Sequence, residues 1–281
     1  MMRFLALVAV AVSFSSYGCE RGVEASPESR GPSGKGHAVS SLSTNPYEWA
    51  GIEHNEALDY VMSNAGVFVA PSVFPDSIFN DFVRQKVVDF YVSSGTDPNL
   101  TLSLMRQYTA GVDDIWHDVN ALFDRADSVV TYPSVWGASF SYADKFYTQK
   151  VIDLARAAVE DSAYANFAAL QVAVEDLEEE ILAENWEEDD FLALMSIAIF
   201  KHSLELHNDH SFGMPPVSAK SKAVRIAAGA SADFLAGVVT AGLVVGGSGG
   251  VGAGAAVWAG VKAAAGASGA VEMIGGWAGW W

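Results

Sequence analysis

Gly242, Gly246, Gly250 and Gly254 recur at every fourth position near the C-terminus, a spacing that leaves one face of a helix without side chains. Two backbones can approach closely along such a face, inside lipid or inside a dry protein interface. A water-exposed helix gains nothing from it, because each glycine costs about 1 kcal/mol relative to alanine. The series sits in a wider tail, Ala223 to Trp281, which holds 15 of the 26 glycines and only four charged residues: Arg225, Asp233, Lys262 and Glu272. From Phe234 to Val261 run 28 uncharged residues, more than the roughly 20 that a transmembrane helix needs. The cluster Gly246, Gly247, Ser248, Gly249 and Gly250 interrupts this stretch. Two architectures fit: one long helix with a glycine face, or a helical hairpin with arms Ala223 to Val245 and Val251 to Ile274. The hairpin is the expectation, with Gly242 and Gly254 facing each other across it. Trp277, Trp280 and Trp281 close the chain and suit a membrane interface or a protein groove. If the arms entered lipid, Asp233, Lys262 and Glu272 would have to lie at its interfaces or line a lumen.

The segment before the tail has the opposite character. The chain's net charge is −18, and between Ala157 and Phe200 there are twelve carboxylates and no Lys or Arg. Nucleic-acid binding is excluded on this ground, since it depends on cations that neutralise phosphates. An anionic membrane would also repel this stretch. Its ordinary reading is a solvated helix face, with Glu175, Glu178, Glu179 and Glu180 outward and Leu170, Val174, Leu177 and Ile181 inward.

The N-terminus reads as an export signal, with Arg3 as a short basic region and Phe4 to Phe14 as an apolar core too short to span a bilayer. Residues 1–18 are expected to be removed. Ser16, Gly18 and the single cysteine, Cys19, resemble the lipobox of bacterial lipoproteins, although Ser16 and Tyr17 depart from the Leu and small residue usual there. The resemblance implies a lipid on Cys19; plain secretion with a free thiol is the alternative. Residues 19–44, rich in Ser, Gly and Pro, read as a disordered tether.

Residues 45–216 read as an acidic all-α helical domain, and residues 217–281 as the Gly/Ala-rich hairpin. Asn45, Pro46 and Glu48 form a helix start with a capping box, predicting a helix to Met62. Helical spacing predicts further helices beginning at Asp76 or Ser77 and ending at Ser94 and Gly95, beginning at Asp97 and Pro98, and resuming after Gly111. Tyr132 to Gly137 is a predicted loop. Helices follow over Ser141 to Glu160, Ala163 to Glu184 and Glu187 to Asn208, with Pro215 and Pro216 closing the region. The fold class is therefore an all-α bundle.

The most ordered local pattern runs from Asn45 to Tyr60. At 100 degrees per residue, Tyr47, Ala50, Gly51, His54, Leu58 and Val61 share one face, with Asn55 and Asp59 at its border. The stretch resembles an N-P-Y-x-x-x-G-x-x-H-N-x-x-L-D-Y motif of uncharacterised exported bacterial proteins with Gly/Ala-rich tails, a family that implies no catalytic residues. His54 reads as a core histidine with a buried hydrogen-bond partner, or else as a ligand or base. His202, His207 and His210 are poorly spaced metal candidates, since His202 and His207 point to different faces. No P-loop, nucleophile elbow or His-Glu-x-x-His spacing occurs, and no cofactor is implied.

These features predict an exported, lipid-anchored protein of the bacterial envelope, with a non-enzymatic interaction or structural role. Its partners would be a membrane and, through Gly242, Gly246, Gly250, Gly254, Trp277, Trp280 and Trp281, a second copy or another protein. Two alternatives remain: a membrane-permeabilising, bacteriocin-like protein, and a metal-dependent hydrolase using the bundle histidines.

Overall fold

The computed structural model describes residues 44–64, 76–112, 119–131, 140–160, 163–187, 190–209, 218–248 and 253–278. Cys19, the tether up to residue 43, His210, Gly250, Trp280 and Trp281 lie outside them. Among the described residues the protein is all-helical, with helices α1 (Glu48–Asn64), α2 (Asp76–Ser94), α3 (Leu102–Thr109), α4 (Val119–Thr131), α5 (Tyr142–Val159), α6 (Phe167–Leu182), α7 (Leu192–Asp209), α8 (Ala219–Ser248) and α9 (Ala253–Ala278).

Local chemistry sets most helix ends. The Asn45 side chain accepts a hydrogen bond from the Tyr47 backbone N–H at 2.9 Å, occupying one of the donors that a helix start leaves without a partner. Ser141 does the same for α5 through the Asp144 N–H at 3.0 Å. Gly95, at φ 77°, ends α2 in the left-handed conformation that glycine adopts without steric cost.

Three predicted starts move. Asp97 opens a turn closed by the Leu100 N–H at 3.1 Å, and α3 begins only at Leu102, where Thr101 caps the Leu104 N–H. α6 starts at Phe167, capped by Asn166. α7 starts at Leu192, because its N-terminus is capped from another helix. The Asp144 carboxylate of α5 accepts from the backbone N–H groups of Phe191 at 3.4 Å, Leu192 at 3.1 Å and Ala193 at 2.7 Å. Burial pushes Asp144 up to about 7, against the pull of these N–H donors.

α7 and α8 form the centre. Every residue of α7 from Leu192 to Phe200 is buried, and so is every residue of α8 from Gly229 to Gly242. α8 packs on α7, α4 and α5, and α9 packs on α8, α1 and α2. The tail therefore shares one hydrophobic core with the helices that precede it. On α6 the acidic face is outward as expected, with Leu170, Val174, Leu177 and Ile181 buried.

The glycine series is divided between two helices. Gly242 lies on α8 against Val129 of α4, Gly246 is exposed near the end of α8, and Gly254 lies on α9 with open space beside it. The expected Gly242–Gly254 pairing is thus replaced by a different crossing. A Cβ on Gly260 would sit 3.0 Å from the Gly237 carbonyl oxygen, so α8 and α9 meet backbone to backbone there.

α1 reaches α7 in the same manner at Gly51, where a Cβ would lie 2.5 Å from the Ala198 carbonyl oxygen. Gly51→Ala is therefore expected to destabilise the fold by about 1–3 kcal/mol, because backbone has to move. Gly254→Ala is expected to be neutral or to stabilise by up to about 1 kcal/mol. Urea denaturation of both variants checks the contrast; equal losses would contradict this packing.

Candidate functional site

The N-P-Y motif faces α7 and α8. Asn45, just ahead of α1, donates its side-chain N–H to the Leu194 carbonyl at 2.9 Å, and Asn55 of α1 donates to the His202 carbonyl at 2.9 Å. Between them the core face of α1 carries His54, which is 0% exposed. Its Nδ1 lies 3.0 Å from the Asn55 Oδ1. Because the Asn55 amide N–H is committed to the His202 carbonyl, Oδ1 is left to accept, and His54 Nδ1 carries a proton. His54 Nε2 then points at Asp233 of α8, 3.7 Å from Oδ2.

Asp233, the single acidic residue of α8, is 0% exposed. Its Oδ2 also receives His207 Nε2 of α7 at 3.0 Å and a hydrogen bond from the Ser203 hydroxyl. Ser203 and His207 are four residues apart and so share a face of α7. One turn before Asp233 on α8, Gly229 makes room for the imidazole: a Cβ there would lie 2.7 Å from His207 Cε1. Three helices distant in sequence thus converge on one carboxylate oxygen.

The electrostatics follow from burial and proximity. Burial alone pushes the Asp233 carboxyl up, but the charge and hydrogen bond of His207, the charge of His54 and the Ser203 hydroxyl outweigh it and hold it below the ordinary carboxylate value. Burial depresses His54 below its ordinary value of 6.5, assisted by His207 and His202, and the attraction of Asp233 only partly offsets this.

A second, half-buried network lies one turn away. Lys201 bridges Glu48 and Glu178 at 2.9 Å and 2.8 Å, and His202 Nε2 meets Glu48 Oε1 at 2.7 Å. Glu48 is therefore drawn to α7 instead of closing the expected capping box. Lys262 of α9, also buried, pairs with Asp97 and is ringed by Tyr91, Trp258 and Tyr108 at 5.3, 5.5 and 5.8 Å from their centroids. Such rings favour a desolvated ammonium by cation–π attraction.

The sequence-derived candidates are distributed as follows. Asn45, Gly51, His54 and Asn55 act on one face toward α7 and α8, Tyr47 packs on Phe191 at 6.4 Å, and Asp59 is exposed. His202 and His207 take separate carboxylates, Glu48 and Asp233. Among the described residues no group of three or more His, Cys, Asp or Glu side chains could hold a metal ion. Trp277 falls in α9. Asp144, Ser203 and Gly229 carried no sequence signal, because each matters only through a residue on another helix. Chemically, the group can share or store a proton; the Ser203 hydroxyl donates to the carboxylate, not to an imidazole that would activate it as a nucleophile. The chain matches no family model, no curated protein and no solved structure.

Removing the carboxylate deprives the buried His207 imidazole and Ser203 hydroxyl of the oxygen they share, so Asp233→Ala is expected to cost about 3–5 kcal/mol at pH 7. A depressed carboxyl contributes stability above its unfolded value, near 3.8, and loses it as pH falls through the lower folded value. The gap between wild type and variant in urea midpoint should therefore persist at pH 5 and close only below about pH 3.8.

Proposed function

We propose that the chain is an exported bacterial envelope protein, anchored by lipid at Cys19, whose helical domain has a non-enzymatic interaction or structural role. In this proposal the Gly/Ala-rich hairpin packs in a protein interface, the interior of its own domain, and does not insert in the bilayer. The observation that carries it is the Asp233 carboxylate, set in the middle of an apolar helix and partnered by His54, Ser203 and His207 from helices before the tail. A helix serving as a lipid insert has no use for a charge matched so closely to its own domain.

The permeabilising alternative retains one supporting point. The 28 residues Ala219–Gly246 are long and apolar enough to cross a membrane, but most of their apolar stretch is buried inside the protein. The core helix of a soluble domain meets the same criterion. For the metal-dependent hydrolase alternative, His54 and His207 are buried, and His202 and His207 meet separate carboxylates, Glu48 and Asp233.

Two proteins separate the readings: a Cys19→Ser full-length chain and the same chain ending at residue 216. The full-length form is expected to stay at the bottom of a flotation gradient with vesicles and to unfold in one cooperative transition. The shortened form is expected to lose that transition, because Leu192–Phe200 would face water. A shortened chain that still unfolds cooperatively, together with a full-length chain that floats and releases entrapped dye, would favour insertion.

A further inference from the structure

We propose that Lys262 of α9 and Asp97, in the turn ahead of α3, condense into an intramolecular isopeptide bond, with Glu53 of α1 relaying the proton that the reaction moves. The two reacting groups already meet, since the Lys262 ammonium pairs with the Asp97 carboxylate. They meet in an enclosed site. The Lys262 side chain is 5% exposed, with the rings of Tyr91, Trp258 and Tyr108 around its Nζ, and Asp97 forms the outer edge at 27% exposure. Reacting groups held together in this way can behave as if present at about 10⁵ M or more. Exclusion of water also disfavours the charged pair relative to a neutral amide.

A second acid faces the same enclosure. Trp49 and Glu53 are four residues apart on α1, as Trp258 and Lys262 are on α9, so each pair shares a face of its helix. The Trp49 and Trp258 rings meet at 4.7 Å between centroids, which brings Glu53 and Lys262 to one seam between α1 and α9. Glu53 Oε1 and the Tyr91 hydroxyl are both buried without a hydrogen-bond partner. A plain ion pair accounts for the contact between Lys262 and Asp97, but it gives this acid oxygen no task. Burial, then the charge of Glu56, push Glu53 above its ordinary 4.5, while the Lys262 charge pulls it down across the seam. A carboxyl shifted toward neutrality is better suited to take up a proton and return it.

The reaction balances without an oxidant, a reductant or a cofactor. The ammonium passes one proton to the Asp97 carboxylate, leaving a neutral amine and a neutral acid. Lys262 Nζ attacks Asp97 Cγ and the C–N bond forms. Glu53 takes a second proton from the nitrogen and delivers it to the departing hydroxyl, so that the C–O bond breaks, water leaves past the exposed edge of Asp97, and Glu53 ends as it began. The amide closes a loop from residue 97 to residue 262 and fixes α9 to the segment between α2 and α3. A crosslink across so long a loop restricts the unfolded chain strongly.

The test is a tryptic peptide map, by mass spectrometry, of the full Cys19→Ser chain kept at neutral pH. Wild type is expected to yield residues 87–106 joined to residues 226–281, uncut after Lys262 and lighter by one water than the two peptides together. Glu53→Gln keeps the shape of the carboxyl but cannot carry the proton. It is expected to join about 10²-fold more slowly or worse, leaving separate peptides 87–106 and 226–262, with its helix content by circular dichroism unchanged. Glu53→Asp is expected to recover part of the rate. Separate peptides alone from the wild type, after prolonged incubation, overturn the bond whether or not the variants fold. A folded Glu53→Gln chain that joins as fast as wild type overturns the relay.

Discussion

A carboxylate in the middle of an apolar helix is the constraint on which the rest of this structure depends. Asp233 lies within a stretch of α8 that is buried without interruption from Gly229 to Gly242. An isolated charge there would carry a desolvation cost of several kcal/mol. It is tolerated because α1 and α7 deliver two imidazoles and a hydroxyl to one oxygen. That delivery also sets register. A slip of one turn, about 5.4 Å, would bring Gly229 or Gly237 opposite the imidazoles and leave them with nothing to meet.

The contacts around this group behave as a clamp between α1 and α7. Asn45 and Asn55 tie α1 to the Leu194 and His202 carbonyls, and Gly51 lets the two backbones approach between those ties. At Asn45, Gly51, His54 and Asn55 the motif thus has a structural explanation. Lys262 repeats the logic on α9, where a buried cation is met by Asp97 and three aromatic rings. Asp233 on α8 and Lys262 on α9 are thus each met by residues that precede the tail.

Legibility followed sequence distance. The Asn45 and Ser141 caps act on backbone two or three residues away, and Gly95 acts on its own φ, so all three were readable as local patterns. The start of α7 was not, because its capping carboxylate, Asp144, lies 49 residues from the Ala193 N–H that it accepts. The glycine series misled for a related reason. Spacing by four defines a face only while one helix continues, whereas α8 runs to Ser248 and α9 begins at Ala253. The close crossing formed instead at Gly237 and Gly260, two glycines outside the regular series.

The sequence by itself determined that the chain is helical and that α1 and α6 each have one buried face. It also pointed to close packing in the glycine-rich tail, which Gly237, Gly242 and Gly260 meet and Gly246 and Gly254 do not. All of these are properties of periodicity and side-chain volume within a single element. It did not determine which surface the tail would pack against, since lipid and a protein core accept the same Ala and Gly. The tertiary structure decided that by bringing His54, Ser203 and His207 to Asp233. A buried charge can be neutralised only by groups within a few ångströms, and only folding brings residues that are 26 to 179 positions apart into that range.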